Sequence, residues 1–259
     1  MYGVTVSVVI PALNEAENLP HVLPRIPADV DEVILVDGLS KDDTIDVAKR
    51  LLPEIRVIHE EKKGKGNALR AGFLAARGEV IVMLDADGST DPAEIPVYVG
   101  ALLAGADFVK GSRFLQGGGS SDLTPFRRLG NFGFVQVVRL LFGGRFTDVA
   151  YGYNAFWKDV LPLLELDGEG FEIETMMNVR ALRTGLKVAE VPSFEASRIY
   201  GTSNLRALPD GWRIVKTIAR ELMRPSASVR GARVRRAPRR LAPVVNFPER
   251  AEEATRRAA

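Results

Sequence analysis

The first 115 residues repeat one pattern, in which a short apolar run rich in β-branched residues is followed by a polar stretch of helical character. The runs are VTVSVVI (4–10), EVILV (32–36), IRVIH (55–59), EVIVML (79–84) and ADFVKGS (106–112). Strands that lack apolar–polar alternation are buried on both faces, and strands separated by helices pair in parallel through right-handed crossovers. The pattern therefore predicts an α/β fold with a mostly parallel sheet and helices on both faces.

The rest of the chain does not continue this repeat. Gly-rich composition, helical spacing and apolar runs predict, in chain order, a loop at 116–125, helices over 127–142 and 171–185, a strand over 186–194 and a last helix over 205–223. We therefore predict one domain over residues 1–224, with a first half at 1–115 and a second half at 116–224.

Charge is distributed unevenly along the chain. The net charge is +2, but the segment from Arg224 to Ala259 contains ten Arg and three Glu, a balance of +7 against −5 elsewhere. This segment has no helical or strand period, so residues 225–259 are predicted to be a disordered basic tail. Two interpretations stay open: a solvated tail without function, or a surface that meets anionic lipid head groups.

The absence of cysteine excludes disulfides, thiolate metal sites and cysteine nucleophiles. The N-terminus has no basic start before its apolar run, and no run reaches the roughly 18 apolar residues that a membrane-spanning helix requires. We expect a cytoplasmic protein whose contact with the inner face of the membrane is peripheral, and we expect no nucleic-acid partner.

Polar residues follow each predicted strand, at the sheet edge where ligands of parallel α/β folds bind. They are Asn14 and Glu15, Asp37, the run from Glu60 to Gly66, the run from Asp85 to Asp91, and the run from Gly111 to Arg113. The Gly64–Lys65–Gly66 turn is expected to let the backbone approach a ligand, with Lys65 near phosphate. Each group has a purely structural alternative, such as a helix cap or a solvated charge run.

Asp85–Ala86–Asp87 is the most informative of these groups. Two carboxylates separated by one small residue repel each other unless a cation lies between them. Carboxylate oxygens suit Mg²⁺ or Mn²⁺, and a pyrophosphate would complete the coordination. The alternative is a solvated turn, because Asp and Gly are common turn residues.

These motifs resemble glycosyltransferase family 2. The resemblance rests on VSVVIPALNEAENL, ILVDGLSKDDT, KGKGNALRAGF, MLDADGSTDP and KGSRF, in that order. TPFRRLGN, DVAYGYNAF and RIYGTSNL extend it to about residue 222 and make the chain most similar to the dolichyl- and polyprenyl-phosphate sugar synthases. The resemblance implies a Rossmann-like GT-A fold and inverting transfer of a hexose from a UDP- or GDP-sugar to a polyprenyl or dolichyl phosphate.

The resemblance also implies roles for single residues, to which we add Lys65 from its position. The donor site comprises Pro11, Ala12, Asn14, Glu15, Asp37, Lys65, Asp85 and Ala86. The metal ion, Mg²⁺ or Mn²⁺, is assigned to Asp85 and Asp87. The acceptor phosphate is assigned to Arg113, Arg127, Arg128 and Ser203. The catalytic residues are expected to be Asp87, Arg198 and Glu172.

The acceptor decides whether a catalytic base is needed. A phosphate is already ionised near neutral pH, whereas a hydroxyl must lose its proton to a carboxylate. Glu172 and Glu174 are the candidates, and helical spacing allows only one of them to face the site; we favour Glu172. Three alternative functions stay open: transfer to a soluble hydroxyl acceptor, a nucleotidyltransferase, and a protein that binds nucleotide sugars without catalysis.

Overall fold

The computed structural model describes residue 1, residues 3–202 and residues 206–225. Ser203 and the tail beyond residue 225 lie outside the described residues. The acceptor role of Ser203, the disorder of the tail and its contact with lipid therefore stay predictions.

A seven-stranded sheet forms the centre of the domain, beside a small two-stranded sheet. The strands are β1 (Val6–Ala12), β2 (Glu32–Asp37), β3 (Arg56–His59), β4 (Val80–Met83), β5 (Phe108–Ser112), β6 (Gly119–Ser120), β7 (Asn154–Trp157), β8 (Val188–Pro192) and β9 (Phe194–Glu195). The large sheet has the order β3-β2-β1-β4-β7-β5-β8, and β6 pairs with β9. All neighbours are parallel except β7, which is antiparallel to β4 and β5. The predicted mostly parallel sheet is confirmed.

The helices are α1 (Leu19–Val22), α2 (Thr44–Leu51), α3 (Lys65–Ala75), α4 (Ile95–Leu103), α5 (Pro125–Phe142), α6 (Leu161–Leu164), α7 (Glu172–Arg183) and α8 (Ala207–Met223). Short 3-10 turns occur at Leu23–Arg25, Pro92–Glu94 and Lys158–Val160. Helix α5 begins where the Thr124 hydroxyl accepts a hydrogen bond from the Arg127 amide, and it ends at Gly143 with φ of 77°. No helix within the described ranges is long and apolar enough to cross a membrane.

Both faces of the large sheet are covered. Val8, Val9 and Ile10 are consecutive residues of β1 that point to alternate faces, and all three are fully buried. Helix α3 packs closely on β1 and β2 at Gly72, where an added Cβ would lie 2.4 Å from the side chain of Val9. The uniform apolar character of the strands is thus a consequence of burial on both sides.

Strand β7 places a second loop at the edge where β4 ends. Asn154 pairs with Met83, the last residue of β4, and β7 runs back from there to Trp157 opposite Val80. Residues 148–153 therefore lie beside the residues that follow β4. Strand β7 was not predicted from the sequence, since four residues give too short a run.

Helices α5, α7 and α8 pack together around a second apolar cluster, separate from the core of the large sheet. Val135 and Val138 of α5 meet Val179 of α7 and Ile214 and Ile218 of α8. This cluster attaches α5 and α8 to the domain by one face each, and their other faces point away from it.

The close contact at Gly72 predicts a destabilising substitution. In Gly72→Ala the new methyl group overlaps Val9 and Val36, and we expect a loss of about 1–3 kcal/mol in the free energy of unfolding. Gly100→Ala is the matched control in α4, because nothing lies within 4 Å of its added Cβ; it should be stabilising by about 0.5–1 kcal/mol. Urea unfolding of both variants measures the difference, and equal stability would contradict the packing described.

Candidate active site

A cleft lies at the carboxyl ends of β1 and β4, with a volume of about 530 Å³, within the range of small-molecule sites. Its floor is formed by Pro11 and Ala12 of β1 and by Asp85, Ala86 and Asp87 after β4. The second half of the domain supplies the opposite side, through residues that include Arg127, Ala150, Tyr151, Gly152, Glu174, Glu195, Ser197 and Arg198.

Lys65 joins two carboxylates at the bottom of this cleft. Its Nζ lies 2.5 Å from Asp85 Oδ1 and 2.7 Å from Glu174 Oε1. Lys65 begins α3, Asp85 follows β4 and Glu174 lies in the first turn of α7. Gly152 passes so close that an added Cβ would lie 2.8–3.0 Å from the charged atoms of all three side chains. A side chain at residue 152 would separate the lysine from its partners.

A second ion-pair group surrounds Arg198. Its guanidinium donates to both oxygens of Glu15 at 2.6 Å and to Asp87 Oδ2 at 3.2 Å. The segment that carries it is held over the β4 loop, because the Ala196 amide donates to the Ser89 carbonyl at 2.8 Å. Arg198 is therefore placed by backbone contacts as well as by charge.

Burial and charge shift the pKa values of these groups. Burial would lower the pKa of Lys65, but Asp85 and Glu174 outweigh it and hold the pKa above its ordinary value. Burial raises the pKa of Glu174, and Asp85 adds to this, against the opposing effect of Lys65. Burial likewise raises the pKa of Glu15, against the opposing effect of Arg198.

The two ion-pair groups fit a hard divalent cation. Their described side chains comprise four carboxylates and two cations, so negative charge is in excess next to Asp85 and Asp87. No cluster of three His, Cys, Asp or Glu able to bind a metal occurs among the described residues. Such an ion would therefore take its remaining ligands from water or from a bound phosphate, as Mg²⁺ commonly does.

A family profile, two relatives of similar sequence and a solved structure indicate one family for this chain. The profile described as Glycosyl transferase family 2 matches residues 7–161. The undecaprenyl-phosphate mannosyltransferase of Micrococcus luteus is 35% identical over 211 residues, which cover 76% of this chain and 86% of that protein. The polyprenol monophosphomannose synthase of Mycolicibacterium smegmatis is 34% identical over 212 residues, covering 76% of this chain and 80% of its own length.

A solved structure matches over most of the chain. It is glucosyl-3-phosphoglycerate synthase from Mycobacterium tuberculosis in complex with Mn²⁺, uridine diphosphate and glucosyl-3-phosphoglycerate. The TM-score is 0.67 at 25% identity, over 87% of this chain and 82% of that one. This chain belongs to glycosyl transferase family 2. The fold is GT-A, and the family resemblance inferred from the sequence motifs is confirmed.

The cleft of this transferase brings together most of the residues that the sequence assigned to the donor, the metal and catalysis. Those that line it are Pro11, Ala12, Glu15, Lys65, Asp85, Ala86, Asp87 and Arg198, and Arg127, assigned to the acceptor, lines it as well. Gly64 and Lys65 both line the cleft, whereas Gly66 packs against the loop at residues 168 and 169. The Gly66 amide donates to the Glu169 carbonyl at 2.8 Å, and an added Cβ at Gly66 would lie 2.3 Å from the Gly168 carbonyl oxygen.

Asn14 and Asp37 lie outside the residues that line the cleft. Asn14 is exposed, and its side-chain carbonyl accepts from the Lys41 amide at 2.8 Å. The buried Asp37 carboxylate accepts from the amides of Leu39 and Ser40. Both side chains organise the turn after β2, and their assignment to the nucleoside stays a prediction.

Arg113 was assigned to the acceptor phosphate, and the structure corrects this. Its side chain is buried and donates to both oxygens of Asp148, at 2.7 and 3.0 Å, and to Glu195 at 3.0 Å. Burial would raise the pKa of Asp148, but Arg113 outweighs this and lowers it. Arg113 thereby joins the loop at Asp148 to strand β9, and its guanidinium is held by these two carboxylates.

Arg128 also lies outside the cleft. It is exposed on α5, with its guanidinium 5.9 Å from the ring centroid of Phe114. Arg127 is the arginine of this pair that lines the cleft, where it lies 2.7 Å from Asp122. Thus one of the two neighbouring arginines lines the cleft and the other does not.

The choice between the two glutamates of α7 is reversed by the structure. Glu172, the favoured residue, accepts hydrogen bonds from the Glu169 and Gly170 amides and lies outside the cleft. Glu174 lines the cleft, buried against Lys65. Tyr151 and Gly152 also line the cleft, and no role was predicted for them from the sequence. The aromatic and glycine-rich composition of DVAYGY was a signal that this loop is constrained.

The buried position of Arg113 predicts a structural defect upon substitution. Arg113→Ala leaves Asp148 and Glu195 buried without their cation, and we expect a loss of about 3–5 kcal/mol in the free energy of unfolding. The control is Arg128→Ala, whose exposed side chain should change stability by less than about 0.5 kcal/mol. Urea unfolding compares the two. A stable Arg113→Ala protein with impaired acceptor binding would restore the original assignment.

Proposed function

We propose that this glycosyltransferase moves a hexose, with inversion, from a UDP- or GDP-sugar to a polyprenyl or dolichyl phosphate, with Mg²⁺ or Mn²⁺ held at Asp85 and Asp87. The observation that carries the proposal is the cleft in which this carboxylate pair faces Lys65, Arg127 and Arg198. The names of the two mannosyl-transferring relatives support the lipid-phosphate acceptor, and the Mn²⁺ and uridine diphosphate of the solved structure support the donor and the ion.

The donor diphosphate would occupy the region around the β4 loop. A bound divalent ion would neutralise the charge that grows on the departing diphosphate. Lys65 and Arg198 add fixed positive charge at the same place, and both are preorganised by their carboxylate partners. Such preorganised charge stabilises a transition state in which a phosphate group leaves.

The acceptor phosphate would be held by Arg127, whose planar guanidinium can donate to two phosphate oxygens. Arg198 would add positive charge beside it, since its guanidinium already donates to Glu15, Asp87 and the Tyr200 carbonyl. A phosphate nucleophile is ionised near neutral pH, since its second pKa is about 6. It therefore needs no catalytic base, and Glu174 can serve as the partner that positions Lys65. This role agrees with the 2.7 Å ion pair between the two side chains.

A small phosphorylated acceptor is the second candidate. The solved structure of similar fold contains glucosyl-3-phosphoglycerate, whose glycosylated group is not a lipid phosphate. A hydroxyl acceptor requires removal of a proton, and the buried Glu174 carboxylate, with its raised pKa, would be the candidate base. The acceptor panel below distinguishes the two candidates.

The carboxylate pair gives a direct test of the ion. Asp85→Asn and Asp87→Asn keep the side-chain volume but remove the charge that would hold the cation, so we expect turnover to fall by about a hundredfold or more. Asp46→Asn, at an exposed position of α2, is the control and should retain full activity. Calorimetric titration with Mn²⁺ and nucleoside diphosphate gives a second measurement. Undiminished turnover in excess EDTA would disprove metal dependence.

The acceptor can be identified by competition. We expect a short-chain polyprenyl phosphate to be glycosylated faster than 3-phosphoglycerate or a free sugar at equal concentration. Arg127→Ala should raise the KM for the phosphate acceptor by about tenfold, because it removes charged hydrogen bonds, whereas Arg128→Ala should leave it unchanged. Preference for 3-phosphoglycerate would identify the small phosphorylated acceptor, and preference for a free sugar would exclude both.

A further inference from the structure

We propose that the outer faces of α5 and α8 form a membrane-docking surface that lies on an anionic bilayer and brings the cleft to its lipid acceptor. The proposal rests on the proposed function for the acceptor, and on the structure alone for the surface. It differs from the contact expected of the basic tail, because it uses helices of the folded domain.

Helix α5 exposes an apolar face along its length. Phe126 is 62% exposed, Leu129 69%, Phe132 60% and Leu140 84%. These positions recur at helical spacing, while Val135 and its neighbours bury the opposite face against α7. The two glycines within this stretch, at residues 130 and 133, have nothing within 4 Å of an added Cβ.

Helix α8 has a similar outer face. Leu208 is 75% exposed, Trp212 59% and Met223 78%, whereas Ile214 and Ile218 are buried. Helices α5 and α8 rest on the same apolar cluster, and Gly211 of α8 lies beside the ring of Phe134 of α5. The two apolar faces therefore belong to neighbouring helices. Clustered exposed side chains of this size mark an interaction site rather than an ordinary surface.

Charge on these two helices favours a lipid bilayer as the occupant. Arg128 and Arg139 of α5 and Arg213, Lys216 and Arg220 of α8 are exposed. The acidic residues of α8, Asp210 and Glu221, are buried, and α5 has none. The exposed charges carried by the two helices are thus positive, although Arg213 is paired with Asp210 and Arg220 with Asp167 of a neighbouring loop. Positive charge beside an apolar face is the pattern of helices that lie in the interface of an anionic membrane.

The surface is continuous with the active site. Arg127, in the first turn of α5, lines the cleft, and its neighbour Phe126 is exposed on the apolar face. A lipid whose chain lies in the bilayer under α5 could therefore place its phosphate at Arg127. A small soluble acceptor would give no reason for an exposed apolar side chain next to Arg127.

The two tryptophans provide a site-specific probe. Trp212 lies on the proposed surface, whereas Trp157 is 3% exposed in the core of the large sheet. We expect vesicles of phosphatidylcholine and phosphatidylglycerol with brominated acyl chains to quench the emission of Trp212 in the full-length protein. Trp212→Phe should abolish the quenching, because Trp157 stays out of reach. Vesicle-bound protein without quenching would mean that another region, such as the basic tail, holds it, and would overturn the proposal.

Charged substitutions test the apolar face itself. Leu129→Glu together with Leu140→Glu should weaken vesicle binding by about tenfold or more at high salt, where attraction through the tail is screened. Leu74→Glu is the control, since Leu74 is equally exposed, at 75%, but lies on α3. Circular dichroism verifies that the variants fold. Equal binding by the double variant and the control would overturn the proposal.

Activity assays of the same variants distinguish failure of the docking surface from failure of the proposed function. If lipid phosphates are the acceptors, the double variant should lose glycosylation of a long-chain polyprenyl phosphate in vesicles and keep that of a soluble short-chain analogue. If no lipid phosphate is glycosylated by any variant, the proposed function fails while the quenching result still decides the surface. Self-association without vesicles that Leu129→Glu abolishes would identify a second copy of the chain as the occupant, against the proposal.

Discussion

The ion pair network at Lys65 determines how the two halves of the domain meet. Lys65 and Asp85 belong to the first 115 residues, whereas Glu174 comes from α7. Arg198, from the second half, likewise pairs with Glu15 and Asp87 of the first half. Buried carboxylates are costly unless they are paired, so each half needs the charges of the other. The cleft and its charge pattern are two consequences of the same contacts.

Most of the strands, and the side of the cleft that the first 115 residues form, follow from local sequence. Runs such as EVIVML are uniformly apolar because β4 is buried on both faces, and the carboxyl ends of parallel strands converge on one edge. That topology alone predicts that Glu15, Lys65, Asp85 and Asp87 lie near one another, and all four line the cleft. Topology brings such residues to this edge but does not decide which of them line the cleft, since Asp37 ends β2 and lies outside it.

The errors concern residues whose position depends on distant partners. The phase of α7, set by packing on α5 and α8, decides that Glu174 rather than Glu172 faces the cleft. Arg113 is withdrawn from the cleft by Asp148 and Glu195, which lie 35 and 82 residues away in sequence. The predictions for Ser203 and for the basic tail concern residues outside those that the structure describes, so the fold does not test them. No local sequence pattern distinguishes an arginine that binds phosphate from one that is buried in an ion pair.

The position of β7 has a consequence for the synthesis of the protein. In the sheet, β7 separates β4 from β5, and β5 pairs only with β7 and β8 among the described strands. While the ribosome is still adding residues up to Trp157, β4 therefore has an open edge and β5 has no partner. Unpaired strands of this kind invite aggregation. The sheet can therefore close only after the second half of the chain has been made.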